Sequence, residues 1–165
     1  MSPPANPDAD TAADPLARAD LIPVVARALL GLIEERGRSP DRLCRGLGFA
    51  YRDLMRHDVL VSYQQTRALI LRAQRLLGEP AIGLAVGARQ TPVSWGLAGL
   101  AMLTCETFGE AIGYGIAHQS AAGAMVDHLI EVQGREVHLE LLPRRFDLEI
   151  EPYLIEEAFA SAIAI

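Results

Sequence analysis

The apolar residues of this 165-residue chain change their period near residue 124. Before that point they fall at helical spacing; after it they alternate over residues 125–132 and 135–142. Helical spacing buries one stripe of a helix, whereas strict alternation buries one face of a strand. The expected fold class is therefore α+β: a mostly helical N-terminal two thirds, an antiparallel β-hairpin or sheet, and a C-terminal helix. A two-residue turn at Gln133-Gly134 would pair Val132 with Arg135, Ile130 with Val137, His128 with Leu139 and Val126 with Leu141. One face of that hairpin is apolar apart from His128; the other carries Asp127, Glu131, Glu136, His138 and Glu140. Two strands are marginal alone, so the apolar face needs helices or further strands to cover it.

Capping chemistry sets the helix limits. Residues 23–36 read as a helix with Val25, Ala28, Leu29, Leu32 and Ile33 on one face, Pro23 in its first turn and Gly37 beyond its end. Ser39-Pro40 opens a short helix to about residue 47, and a helical turn is expected at 51–55. Ser62 and Gln65 form a capping box for a helix to Leu77, with Leu69, Ile70, Ala73, Leu76 and Leu77 inward and Gly78 closing it. Pro80 at the first helical position opens another helix containing Ile82, Ala85 and Val86. After Thr91-Pro92 a further apolar helix runs to about Leu103. Thr107 and Glu110 form a second capping box for a helix to about residue 121, with Phe108, Ala111, Ile112 and Ile116 as its buried row. Pro152 opens the last helix, 153–165, which reaches Ile165 without a Gly, Asn or basic cap; such an ending suggests a domain cut from a longer chain. Residues 1–19, proline- and aspartate-rich, lack an apolar stripe and are expected to be a disordered tail; residues 20–165 form one domain.

Net charge is −6, the wrong sign for a general nucleic-acid binder. Residues 36–75 nevertheless carry nine Arg against three Asp, and all 15 basic residues of the chain are Arg. Solvated helix faces account for this segment; a helix-turn-helix-like DNA-binding module within residues 39–77 is the alternative, although the stretch 48–61 is too long for the usual turn unless the short middle helix at 51–55 forms. The two cysteines, Cys44 and Cys105, have no metal-ligand or redox spacing and fit a cytoplasmic protein. No apolar run approaches the roughly 20 residues of a membrane span.

No catalytic constellation, metal site or cofactor motif is found. Gly113-x-Gly115 lacks the third glycine of a dinucleotide fingerprint and lies in an expected helix. His128 and His138 point to opposite hairpin faces, so with His118 they make no metal site. Cys105, beside Glu106 and before a helix, reads as a small buried side chain sooner than a reactive thiol. Gly83-x-x-x-Gly87 and Gly109-x-x-x-Gly113 read as steps that let helices approach closely. Trp95 at a helix start, the row Glu110, Tyr114 and His118, and His128 on the apolar strand face are candidate ligand-binding residues, because a few polar and aromatic groups beside an apolar cavity define a small-molecule pocket. A solvated row, a packed Trp and a hydrogen-bonded core His would explain the same residues.

The run VSYQQTRALILRAQRLLGEPAIGLAVGARQTPVSWGLAGLAMLTCETFGEAIGYGIAHQ orders a capped helix, an LLGEPAIGL-x-x-G step, a GLAGLAML stretch and a T-x-GEAI capping box. Over about residues 22–145 this resembles the N-terminal, arabinose-binding-like domain of AraC-type transcriptional regulators. The matching residues, Gly83, Gly87, Thr107 and Glu110 among them, are packing and capping residues, so the resemblance assigns no ligand residues. It implies a bacterial, cytoplasmic, non-enzymatic domain that senses an unknown small-molecule effector and helps the full-length protein form a homodimer. DNA would be bound only through a C-terminal helix-turn-helix domain, which is absent from this chain.

Overall fold

In the computed structural model, residues 14–56 and 58–164 are described. Most of the expected N-terminal tail lies outside them. Its last part is held: Leu16 packs on the core and its carbonyl accepts from the Gln64 amide at 3.1 Å. Strand β1 (Ala19–Leu21) then pairs antiparallel with β2 (Val61–Ser62), a small sheet the sequence pattern does not announce.

Helix α1 (Val24–Glu35) buries Val25, Leu29, Leu32 and Ile33, as its stripe requires, together with Val24, Ala26 and Leu30. Helix α2 (Pro40–Cys44) is shorter than expected, and Gly46 and Gly48 lead away from it with positive φ. A 3-10 turn (Tyr51–Met55) occupies the anticipated position. Helix α3 (Tyr63–Leu77) starts on the Ser62–Gln65 box: Gln65 N donates to Ser62 Oγ at 3.1 Å and Ser62 N to Gln65 Oε1 at 2.7 Å. Gly78 ends it in the left-handed conformation. Leu69, Ile70 and Ala73 are buried, but Leu76 is exposed.

Pro80 does not open the next helix. Ala81 stands at φ +53 as the N-cap of α4 (Ile82–Gly87), so the helix begins two residues later. The long helix expected from Pro92 to Leu103 is also interrupted. A 3-10 turn (Pro92–Trp95) gives way to α5 (Gly96–Met102) at Gly96, whose φ of +66 breaks the helical path. Helix α6 (Phe108–His118) is capped as expected, with Glu110 N donating to Thr107 Oγ1 at 3.2 Å and Thr107 N to Glu110 Oε2 at 3.2 Å. Its apolar row is not buried, however: Phe108 is 67% exposed, and no residue of α6 is fully buried.

Strands β3 (Val126–Gln133) and β4 (Glu136–Pro143) form the hairpin with a different register. Val132 faces Val137, Ile130 faces Leu139 and His128 faces Leu141. Gly134, with φ +64, is the first rather than the second turn residue, the place where a glycine-first hairpin turn requires positive φ. Each β3 residue therefore meets a partner two positions further along β4. Side chains alternate with a period of two, so the apolar face survives this shift.

Helix α7 (Glu151–Ile163), with Pro152 in its first turn, packs against α4. The Gly83–Gly87 step makes that packing possible: a Cβ on Gly83 would lie 2.4 Å from the Tyr153 carbonyl oxygen, and one on Gly87 2.1 Å from that of Glu157. The core fills the space between α1, α3, α4 and α7, with Leu29, Leu30, Leu69, Ile70, Val86, Tyr153 and Leu154 at its centre. Hairpin, α5 and α6 sit to one side of this core.

Candidate functional site: a cavity under the hairpin

The apolar hairpin face needs a cover, and α5, α6 and the second half of α7 supply it incompletely. Between them lies a cavity of about 560 Å³, within the range of small-molecule sites. Val126, His128, Ile130 and Val132 of β3 and Val137 and Leu139 of β4 form one wall. Met102 of α5 and Ile112 and Ile116 of α6 form another. Val132, Val137, Phe108 and Ile163 line the cavity and are also exposed, so they form its rim.

The glycines of α6 behave unlike those of α4. An added Cβ at Gly109 or Gly113 would meet nothing within 4 Å. Both line the cavity, so this second glycine pair is not the helix-packing step expected from its spacing. It leaves volume open.

Polar groups enter from three directions. Glu157 of α7 is 5% exposed and lies on the helix face shared with Tyr153, Leu154, Ala158 and Ser161. Gln90, just after α4, donates through Nε2 to Glu157 Oε1 and accepts through Oε1 from Trp95 Nε1 at 2.9 Å. Burial pushes the Glu157 carboxyl up to about 7, with the Gln90 bond opposing it only partly. On the other side, Gln119 Oε1 accepts from the His128 backbone at 2.8 Å and from its Nδ1 at 3.1 Å. Desolvation lowers the His128 pKa, which keeps the ring neutral at physiological pH.

Of the five residues singled out by sequence, Trp95 and His128 line the cavity and the other three do not. The Glu110 carboxylate is spent on the backbone N–H groups of Glu106 and Thr107, both at 3.2 Å. Tyr114 and His118 stack with centroids 4.0 Å apart, and His118 Nδ1 donates to the Tyr114 carbonyl at 2.9 Å on the outer side of α6. Gln90, Gln119 and Glu157 also line the cavity, without a motif that marks them. Only Glu157 left a signal: a carboxylate at helical spacing within an apolar row. Gln90 and Gln119 sit at helix ends, where glutamine is unremarkable.

Cys44 is buried, and burial pushes its thiol up to about 11, far from a reactive thiolate. Cys105 Sγ sits 3.6 Å from the Ala101 carbonyl oxygen. Among the described residues no group of three or more His, Cys, Asp or Glu could hold a metal ion, and no helix is long and apolar enough to cross a membrane.

Four of the nine arginines of the basic segment are engaged within the molecule, and Arg38, Arg42, Arg45, Arg52 and Arg75 are exposed. Arg36 pairs with Glu79 at 3.0 Å, Arg56 with Asp58 at 2.8 Å, and Arg67 with Asp147 at 2.6 Å and with Glu149. Arg72 donates to the carbonyls of Leu43 and Arg45. Five-residue α2 is separated from α3 by the 3-10 turn at 51–55 and strand β2; the short middle helix that the alternative reading needs is thus present as a 3-10 turn, but no direct 3–4-residue turn joins α2 to α3.

A helical body and a covering hairpin enclose the cavity between them. Residues 37–165 match the family described as the arabinose-binding domain of AraC transcription regulator, N-terminal, and the chain belongs to that family. It is thus the regulatory, effector-binding domain of a transcription regulator, not an enzyme. A relative, the ornithine utilization regulator of Pseudomonas aeruginosa, is 33% identical over 106 residues. That match covers 64% of this chain and 31% of the relative, so the chain spans about a third of the length of the protein it resembles.

Proposed function

We propose that this domain binds its effector in the cavity beneath the hairpin, and that occupancy is relayed to DNA binding carried by another domain of the regulator. The cavity itself carries this reading: an apolar chamber of about 560 Å³ whose few inward polar groups, Glu157, Gln90, Trp95 and His128, are held in place by hydrogen bonds. Such preorganised polar points in an apolar chamber give a ligand orientation and specificity. The family description names arabinose and the relative's name ornithine; neither sets the effector of this chain.

The regulator is further proposed to be a bacterial, cytoplasmic homodimer. Family membership and two unpaired cysteines support this assignment. Light scattering of the intact regulator at micromolar concentration should report a dimer; a monomer rejects that part. A metabolite thermal-shift screen tests the sensing role. At least one compound should raise the melting temperature, and filling the cavity with Gly113→Leu should abolish the shift. A shift that survives Gly113→Leu places the ligand elsewhere, and no shift from broad libraries removes the sensing role.

A further inference from the structure

Resting on the sensing role just proposed, the chemistry of the lining residues narrows the effector. We propose that the cavity takes an apolar molecule carrying a protonated amine, with the ammonium against Glu157 and the apolar body along the hairpin face toward the rim.

Three observations lead there. First, no Arg lines the cavity, although the chain has 15 basic residues; Glu157 is the one acidic residue among the lining residues. A carboxylate or phosphate ligand would find no Arg partner, and it would have to keep the Glu157 carboxyl protonated to avoid a like charge, whereas an ammonium is met by the ionised form.

Second, most of the other polar groups already have partners. Both ends of the Gln90 amide are used, Gln119 Oε1 is held by His128, and Ser161 Oγ donates to the Ala158 carbonyl at 3.0 Å. A sugar needs many free donors and acceptors, and this wall offers few.

Third, Glu157 is incompletely satisfied. Gln90 reaches Oε1, while Oε2 has no hydrogen bond among the described residues and is not one of the fully buried unpartnered atoms, so it keeps open surface. No salt bridge reaches this carboxyl among the described residues either, although it is buried in the wall. A buried carboxylate without a counter-ion is costly, and a ligand ammonium supplies both the charge and the donor. Met102, Ile112, Ile130 and Leu139 then offer dispersion contacts to an aliphatic or aromatic body.

Three isosteric probes test this on the 165-residue chain: phenylbutylamine, phenylbutanol and phenylbutanoate. Trp95, the sole tryptophan, borders the cavity and reports binding by its fluorescence. The amine should bind about tenfold or more tighter than the alcohol, as a charge-assisted bond requires, and the carboxylate should bind weakest. Glu157→Gln should erase the amine preference, bringing the amine-to-alcohol affinity ratio to about one, with circular dichroism verifying the fold. Gly113→Leu, where a side chain meets open space, should weaken all three alike. A carboxylate that binds as tightly as the amine, or an amine-to-alcohol ratio that survives Glu157→Gln, overturns the amine assignment and leaves the sensing role standing. If none of the three binds, the amine assignment falls, and the metabolite screen decides the sensing role by itself.

Discussion

Replacing Glu157 by Gln isolates the energetic consequence of burying one carboxyl group. Burial raises its folded-state pKa from an ordinary 4.5 to about 7, and Gln90 is the only neighbour that acts against this. Tyr153 and Glu156 on α7 lie close by, and neither offers a positive charge. The folded state therefore holds this proton more tightly than the unfolded chain. Stability contributed by the protonated group is fully present below about pH 4.5, is lost as pH rises toward 7, and is gone above it. The gap between the two pKa values corresponds to roughly 3 kcal/mol. Glutamine keeps the shape and an oxygen for Gln90 Nε2 but carries no proton to lose. Urea denaturation of both proteins, followed by far-UV circular dichroism from pH 4 to pH 8, gives the stability difference at each pH. That difference should move by roughly 3 kcal/mol in favour of Gln as pH rises, with unchanged urea slopes. Taking the difference cancels the titration of the ion-paired carboxylates elsewhere in the chain. A difference that stays flat across this range, or that moves in favour of Glu, refutes the claim that Glu157 is buried without a cationic partner.

Further outcomes follow from the packing. Gly83→Ala and Gly87→Ala each force a Cβ to within 2.4 Å of an α7 carbonyl oxygen and should cost about 2 kcal/mol or more in chemical denaturation. Gly109→Ala, on the open face of α6, should instead stabilise by up to about 1 kcal/mol, since alanine is the better helix former. Thr107→Ala removes the α6 cap and should lower stability by about 1 kcal/mol, with earlier hydrogen exchange in α6 than in α3. In a mobility-shift assay the chain should show no salt-sensitive DNA binding at sub-micromolar concentration, because its net charge is −6 and Arg36, Arg56, Arg67 and Arg72 are bonded within the molecule; a salt-sensitive shift would revive a DNA-binding role for residues 39–77.

Local chemistry wrote much of this fold into the sequence. Ser62 with Gln65, Thr107 with Glu110, and Gly78 set helix ends that appear where the residues place them, since capping is decided within one turn of backbone. The alternation after residue 124 determined which hairpin residues share a face, and a two-residue register shift could not alter it. The motif order from Ser62 to Gln119 likewise carried the family. What the residues could not declare was burial, which depends on elements distant in sequence. Phe108 and Ile112 read as core residues, yet they edge a cavity because nothing fills the space between α6 and the hairpin. Two glycine pairs of identical spacing took opposite roles: Gly83 and Gly87 had α7 to receive, whereas Gly109 and Gly113 had no neighbour. Glu157 became the acidic point of the site only when α7 docked on α4 and brought it to Gln90, 67 residues away, which in turn holds Trp95.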